Sequence, residues 1–356
     1  MDIKLKLLAS LCAVFLIAGC GNKAEEKEPE EVIGEVEAEE TDTEEESTEE
    51  VAELPFKTPF TGEGVAEEIE QRPILATINN HPAARPQSGL ASADVVYEML
   101  AEGDVTRFLA LYQSTIPEQI GPIRSARSYF IDIAKGLDAF YIAHGYSPEA
   151  KSMLANGVVS NINGMHYDGT YFKRSSNRQA PHNSYISGEN VLAGAEKVGA
   201  SMIYSKKVFY PFYRDEDNVK IGVRANEAMV RYSQNSSFNS TYVYDQETGQ
   251  YKRFSANTVT TDYLTGEEIQ LSNILFFEMP HRVIDSVGRR DIDISAGGNA
   301  YIFQNGMMRE IKWKNSDGFL VPLEEDGSEV KLVQGKSWIH FVPTTPGLAS
   351  AVTYSE

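Results

Sequence analysis

Cysteine is nearly absent from this chain. There are two in 356 residues, Cys12 and Cys20. With both inside the first twenty positions, neither a disulfide framework nor a thiolate metal site can hold the remainder within one chain. Basic residues are also scarce. Lys and Arg number 32 against 52 Asp and Glu, a net charge of −20 at pH 7. That balance, without any nucleic-acid motif, argues against nucleic-acid binding. Familiar catalytic signatures are missing. The sequence has no Walker loop, no G-x-S-x-G, no H-E-x-x-H and no G-x-G-x-x-G. No cofactor or metal is therefore expected, and no repeat of fixed period is present.

What is present begins with a secretion signal. Lys4 and Lys6 precede an apolar run, Leu7 to Ala18, that is short for a membrane span. It closes as Leu16-Ile-Ala-Gly-Cys20, which resembles the bacterial lipobox. The resemblance implies cleavage before Cys20 and acylation of its thiol (diacylglycerol, palmitate). Residues 1–19 are then a signal peptide and 20–54 a lipidated tether. From Ala24 to Glu53 stand fifteen Glu and one Asp against a single Lys. The window carries −15, residues 1–23 carry +2, and −7 is left for residues 54–356. Such a chain cannot bury enough apolar area to fold, and its like charges extend it. Thirty residues reach on the order of 100 Å at full extension.

Two domains are expected beyond the tether. Residues 55–200 read as an α/β domain with a mixed sheet. Ile74 to Ile78 is one strand, and 95–100 with 107–112 form a hairpin across Glu102-Gly103-Asp104. Ser147 and Pro148 cap and start a helix, and Gly199 closes another over 189–198. Residues 201–345 read as a mostly antiparallel β domain. Asn305-Gly306 is a type I′ hairpin signal, 242–251 another hairpin, and Trp338 to Val342 a final strand. Residues 346–356 are a tail.

The stretch Gln119 to Ser147 organises the first domain. Its pattern predicts a helix to about Lys135, with Ala126, Phe130, Ile133 and Ala134 inward, then a buried strand over 138–143. His144 would sit at the strand's C-terminal end, where open α/β sheets place their sites. Arg124 and Arg127 would occupy the helix's first turn, where cations oppose the dipole. Three stretches of this acidic chain contain no carboxylate: 71–93 with Arg72, His81 and Arg85; 119–131 with Arg124 and Arg127; 169–188 with Lys173, Arg174, Arg178 and His182. Arginine forks suit carboxylate and phosphate oxygens. The expectation is that Arg85, Arg124, Arg127 and at least one of Arg174 and Arg178 line one cleft near His144. The loop 170–187 would cover it. The competing reading is that each arginine pairs internally, with Asp94, Glu98, Asp138 or Asp168.

The segments Ile78-Asn-Asn-His-Pro-Ala-Ala-Arg-Pro-Gln-Ser-Gly-Leu90, Ala93-Asp-Val-Val-Tyr-Glu-Met-Leu100, Ile120-Gly-Pro-Ile-Arg-Ser-Ala-Arg127 and Ala180-Pro-His-Asn183 resemble the YerB-like bacterial lipoproteins. The resemblance spans about 54–343. It implies two successive domains of unknown function behind a lipid anchor in a Gram-positive-type envelope, and it carries over no catalytic residue. The function expected is a lipid-anchored, extracytoplasmic binding or accessory module on the plasma membrane. It would recognise an anionic cell-wall polymer or an envelope protein. The alternative is an enzyme acting on anionic or lipid-linked wall polymers, with His144 or His182 as acid/base.

Overall fold

Strand Ile74–Asn79 is buried along its whole length, and Val95–Glu102 and Val105–Tyr112 nearly so. Strands covered on both faces read as unbroken apolar runs because neither side meets water. The computed structural model describes residues 54–356 apart from 215, 216 and 218. The signal segment, Cys20 and the acidic tether lie outside the described residues.

An eleven-stranded mixed sheet carries the fold. Its order is Val223–Arg224, Met307–Ser316, Gly298–Gln304, Asn273–Met279, Ser337–Pro343, Val95–Glu102, Val105–Tyr112, Ile74–Asn79, Phe140–Ala143 and Asn161–Asn163, with Phe319–Leu323 paired to Met307–Ser316. Strand Ser337–Pro343 runs parallel to both neighbours, with Val95 opposite Ser337 and Glu98 opposite His340. The two halves of the sequence thus meet in the middle of one sheet. A six-stranded antiparallel sheet follows from the second half, built around Ser240–Asp245 and Gln250–Ser255.

Alternate side chains feed two cores, as the two-residue period of a strand requires. Leu75, Tyr97, Leu109, Tyr141, Phe277 and Phe341 pack on one face with Phe130 and Ile133 of helix Ser128–Gly136. Ile74, Val96, Phe108, Ile142, Phe276 and Trp338 fill the other, with Val191 of helix Gly188–Lys197 and Tyr242 and Tyr251 of the second sheet.

The hairpin across Gly103 and the Ser147-capped helix Pro148–Ala155 form as expected. So does the Asn305-Gly306 turn, whose φ values of 51° and 73° are those of a type I′ hairpin. Four expectations are corrected. The elements do not bear out the α/β label for the first half, whose helices are few and short while strands dominate. Helix Ser128–Gly136 starts after Arg127, not before Arg124. The backbone of 123–126 is drawn into strand-like bonds instead, with Arg124 N donating to Thr77 O at 2.8 Å and Ile123 N to Ser184 O at 2.7 Å. The 170–187 segment is no loose cover. It holds strands Phe172–Arg174 and Ser184–Ser187, which pair with each other, and Ser184–Ser187 also pairs with Gln119–Ile120. Strand Ser337–Pro343 is central and not last, since Val352–Ser355 follows it and pairs with Glu227–Val230.

Candidate anion-binding site

Strands Ile74–Asn79 and Phe140–Ala143 are parallel neighbours and end at the same edge. Divergent loops leave such an edge, and open sheets with parallel strands place ligands there. Asn79-Asn80-His81 leaves one strand and His144-Gly145 the other. Segment 121–126 threads between them. Asn79 N donates to Pro122 O at 2.9 Å, and His144 N donates to Arg124 O at 2.9 Å. The backbone therefore fixes where Arg124 emerges.

Three imidazoles surround it, and their partners set their tautomers. His81 Nδ1 accepts from Ala83 N at 3.1 Å. A neutral His81 must then carry its proton on Nε2. Asn79 Oδ1 accepts from His81 N, so its Nδ2 is the donor to His182 Nδ1 at 2.7 Å. His182 likewise holds its proton on Nε2. The two rings stack at 4.7 Å, with 24° between planes. Neither Nε2 has a hydrogen-bond partner among the described residues, and neither is a buried unsatisfied atom. Both N–H groups thus remain open to solvent.

His144 is fully engaged. Arg174 Nη2 lies 3.0 Å from its Nε2, and a guanidinium only donates. Nδ1 therefore carries the proton and donates to Ser184 Oγ at 2.6 Å. This is the wrong direction for His144 to activate Ser184 as a nucleophile. Gly164 leaves room for the ring, since a Cβ there would stand 2.2 Å from His144 Nδ1.

The five expected arginines divide. Arg124 is half-buried, makes no side-chain hydrogen bond among the described residues, and has a buried, unpartnered Nε. Arg127 is only 3% exposed and is ion-paired with Glu102. It lies behind the site and lines no cleft. Arg107, in strand Val105–Tyr112, shares the same carboxylate at 3.0 Å. Arg174 pairs with Asp168 at 2.9 Å as well as touching His144. Arg178 donates to the carbonyls of Ala84 and Pro86, both at 2.5 Å, and clamps the 79–87 loop. Arg85 holds Asn80 Oδ1 at 2.9 Å and Ser237 O at 2.8 Å, tying that loop to the second half. The expected single cleft of free guanidinium groups is not what the side chains form. Of the five, Arg124 alone makes no side-chain hydrogen bond among the described residues; Arg85 and Arg178 brace the 79–87 loop, Arg174 holds Asp168 and Arg127 holds Glu102.

The electrostatics follow from this count. Glu102 sits among Arg107, Arg127 and Arg124. Burial alone would raise its pKa, but the three guanidinium charges outweigh burial and lower it. One carboxylate facing three arginines leaves positive charge uncompensated. The imidazoles register that field. Burial first, then Arg85 and Arg124, lower the pKa of His81. Burial, then His81, Arg124 and Arg178, lower that of His182. Burial and Arg174 lower that of His144, against an opposing pull from Asp168. All three rings are therefore held in the neutral form to below their ordinary range.

Behind the 79–87 loop lies a buried network joining the two halves. Glu98 Oε2 accepts from Arg253 Nη2 at 2.9 Å and Trp338 Nε1 at 3.0 Å. Its Oε1 accepts from Asn80 Nδ2 at 3.1 Å and Thr106 Oγ1 at 2.9 Å. Arg253 is flanked by Trp338 and Phe108, 4.5 and 5.1 Å from the ring centroids. Asn80 passes the network to Arg85 and so to the site loop.

His81, Asn79, Arg107 and Glu102 were not singled out from sequence as site residues. His81 enters only as part of the first carboxylate-free stretch, and the polar Asn-Asn-His run directly after a wholly buried strand could have given it a role. Arg107 and Glu102 gave no signal, since a hairpin pattern hides which of its residues face a neighbour.

Comparison with known proteins agrees with the resemblance. Residues 60–201 match a family described as "Protein of unknown function (DUF3048) N-terminal domain", and residues 228–339 match its C-terminal domain. The chain is 41% identical over 290 residues to a Bacillus subtilis (strain 168) protein described as "Putative lipoprotein YerB", covering 81% of this chain and 86% of that one. It is also similar to a crystal structure of the YerB protein from Bacillus subtilis, with a TM-score of 0.78 and 38% identity over 85% of this chain and 100% of that one. The chain belongs to this YerB-like family of paired DUF3048 domains.

Proposed function

We propose that the protein is a lipid-anchored binding module of the extracytoplasmic membrane face, which captures an anionic component of the cell envelope at the Arg124–His81–His182 site. The observation that carries this reading is Arg124 itself: a half-buried guanidinium without a hydrogen-bonded carboxylate, beside two outward N–H groups. Burying a charge without a full partner is costly, and an incoming anion would supply the partner. The anchor rests on Cys20 in its lipobox-like setting and on the lipoprotein description of the Bacillus relative. No helix among the described residues is long and apolar enough to cross a membrane. The acidic tether would give the module its reach and keep it off an anionic lipid surface.

An enzyme acting on the same polymers would need an open general base. In this arrangement each of the three imidazole acceptor nitrogens is already occupied. Binding is therefore the better reading. Co-sedimentation of the full chain with purified anionic wall polymer tests it. Arg124→Gln is expected to weaken binding about tenfold or more, as loss of a charge-assisted contact of about 1.5–3 kcal/mol would do. Equal retention of parent and variant would remove the support.

A further inference from the structure

We infer that the group this site takes is a tetrahedral oxyanion of the phosphate-ester class, held by the Nε2–H groups of His81 and His182 and by the Arg124 guanidinium. The inference rests on the binding reading above and specifies its ligand.

Three observations lead to it. First, every open polar group of the cluster is a donor. The Nδ1 atoms of His81 and His182 are taken by Ala83 N and Asn79 Nδ2. A hydroxyl or an ammonium finds no acceptor on these rings, whereas an oxygen-only group satisfies every donor. Second, the donors come from separate segments and not from one planar fork. His81 follows strand Ile74–Asn79, Arg124 lies in the 121–126 segment, and His182 precedes strand Ser184–Ser187. Arg124 Nε is buried, so one of the guanidinium's two bidentate edges is closed. Only the terminal nitrogens can reach a ligand. A group with three or four oxygens spread in space meets such donors better than a planar one with two. Third, the charge balance calls for more than one negative charge. Arg124, Arg107 and Arg127 share Glu102, and the other carboxylates near the site, Asp168 and Glu98, are held by Arg174 and Arg253. Arg85 and Arg178 add positive charge from the 79–87 loop and the 170–187 segment.

The site's own histidines provide the test. The full chain, labelled with 15N-histidine, is titrated with inorganic phosphate, sulfate and acetate. Phosphate and sulfate are expected to shift the Nε2 resonances of His81 and His182, with acetate at least tenfold weaker. A second measurement needs no variant. Bound phosphate should protect the Nε2–H protons of His81 and His182 together from exchange with solvent, read in the same 15N spectra. Vesicles of phosphatidylglycerol are compared with free glycerol 3-phosphate. Protection by vesicles alone assigns a lipid headgroup as the source, and protection by the free ester assigns a soluble or polymer phosphate; either supports the inference. His182→Leu should lose about tenfold in sulfate affinity. Acetate matching phosphate at the same two histidines would overturn the phosphate assignment and leave the anion reading standing. If no anion shifts or protects either histidine, while wall polymer still binds in an Arg124-dependent way, the ligand inference falls alone. If polymer binding is absent as well, both fall.

Discussion

Replacing Glu98 by glutamine removes one oxygen from a group that is fully buried and accepts from both halves of the chain. The glutamine amide must point somewhere. Turned toward Arg253 and Trp338, its NH2 meets two donors, of which Arg253 Nη2 keeps only Ser240 Oγ and Trp338 Nε1 is left without an acceptor. Turned the other way, it meets Asn80 Nδ2. In either pose Arg253, itself 0% exposed, keeps its charge without a counter-ion. Breaking a buried ion pair from one side costs about 3–5 kcal/mol, more than a surface pair by an order of magnitude. Urea unfolding followed by tryptophan fluorescence and far-UV circular dichroism should show that loss. Trp338 is itself a partner of Glu98, so its fluorescence reports on the network directly. The double variant Glu98→Gln/Arg253→Met removes both charges and should recover most of the loss, because buried pairs exchange for apolar groups at little net cost. A single variant within about 0.5 kcal/mol of the parent would refute this account of how the halves are joined.

Gly164→Ala should push the His144 ring off Ser184 and weaken anion binding several-fold, with an overpacking loss of about 1–3 kcal/mol in urea unfolding; unchanged affinity would separate His144 from the site. Asp168→Asn frees Arg174 and removes an exposed acid, so affinity for sulfate should rise about threefold and fall more steeply with salt; a decrease would reverse the sign of the field argument. Stability should decline below about pH 6.5. Burial holds His340 down to about 3 and His281 to about 4, so between the unfolded value of about 6.5 and those pKa values the unfolded chain binds more protons. Asp94, raised to about 6 by burial, opposes one of them between about pH 6 and 4, because there the folded chain holds the proton. These three groups alone give a slope of about 1.4 kcal/mol per pH unit from pH 6 to 4, the depressed His81, His144 and His182 add to it, and urea midpoints that rise on acidification would contradict it.

Much of this was legible in the sequence, for reasons that differ by element. The 95–112 hairpin and the Asn305-Gly306 turn are local, and local turn chemistry announces itself. The position of His144 at a strand end was equally local. The start of the helix at Ser128 was not. Arg124 and Ser125 have nothing against helix, and it is Thr77, Ser184 and His144, all distant in sequence, that pull their backbone straight. The parallel insertion of Ser337–Pro343 beside Val95–Glu102 is likewise a long-range fact, and both strands are simply apolar runs to any local reading. At the site, parts of the three carboxylate-free stretches lie together, with Asn79 bonded to His182 and Arg174 to His144. Their lack of carboxylates could not say which arginine would be left open. Glu102 decided that by pairing with Arg107 and Arg127, and Glu102 lies outside all three stretches.

The central claim is that Arg124, His81 and His182 together hold a tetrahedral anion. Tungstate has that shape and charge and scatters anomalously. In crystals of the chain soaked with tungstate, the account predicts anomalous density within hydrogen-bond distance of His81 Nε2, His182 Nε2 and the Arg124 terminal nitrogens. That density should be lost in Arg124→Gln. Density only elsewhere, or at this place undiminished in the variant, would contradict it.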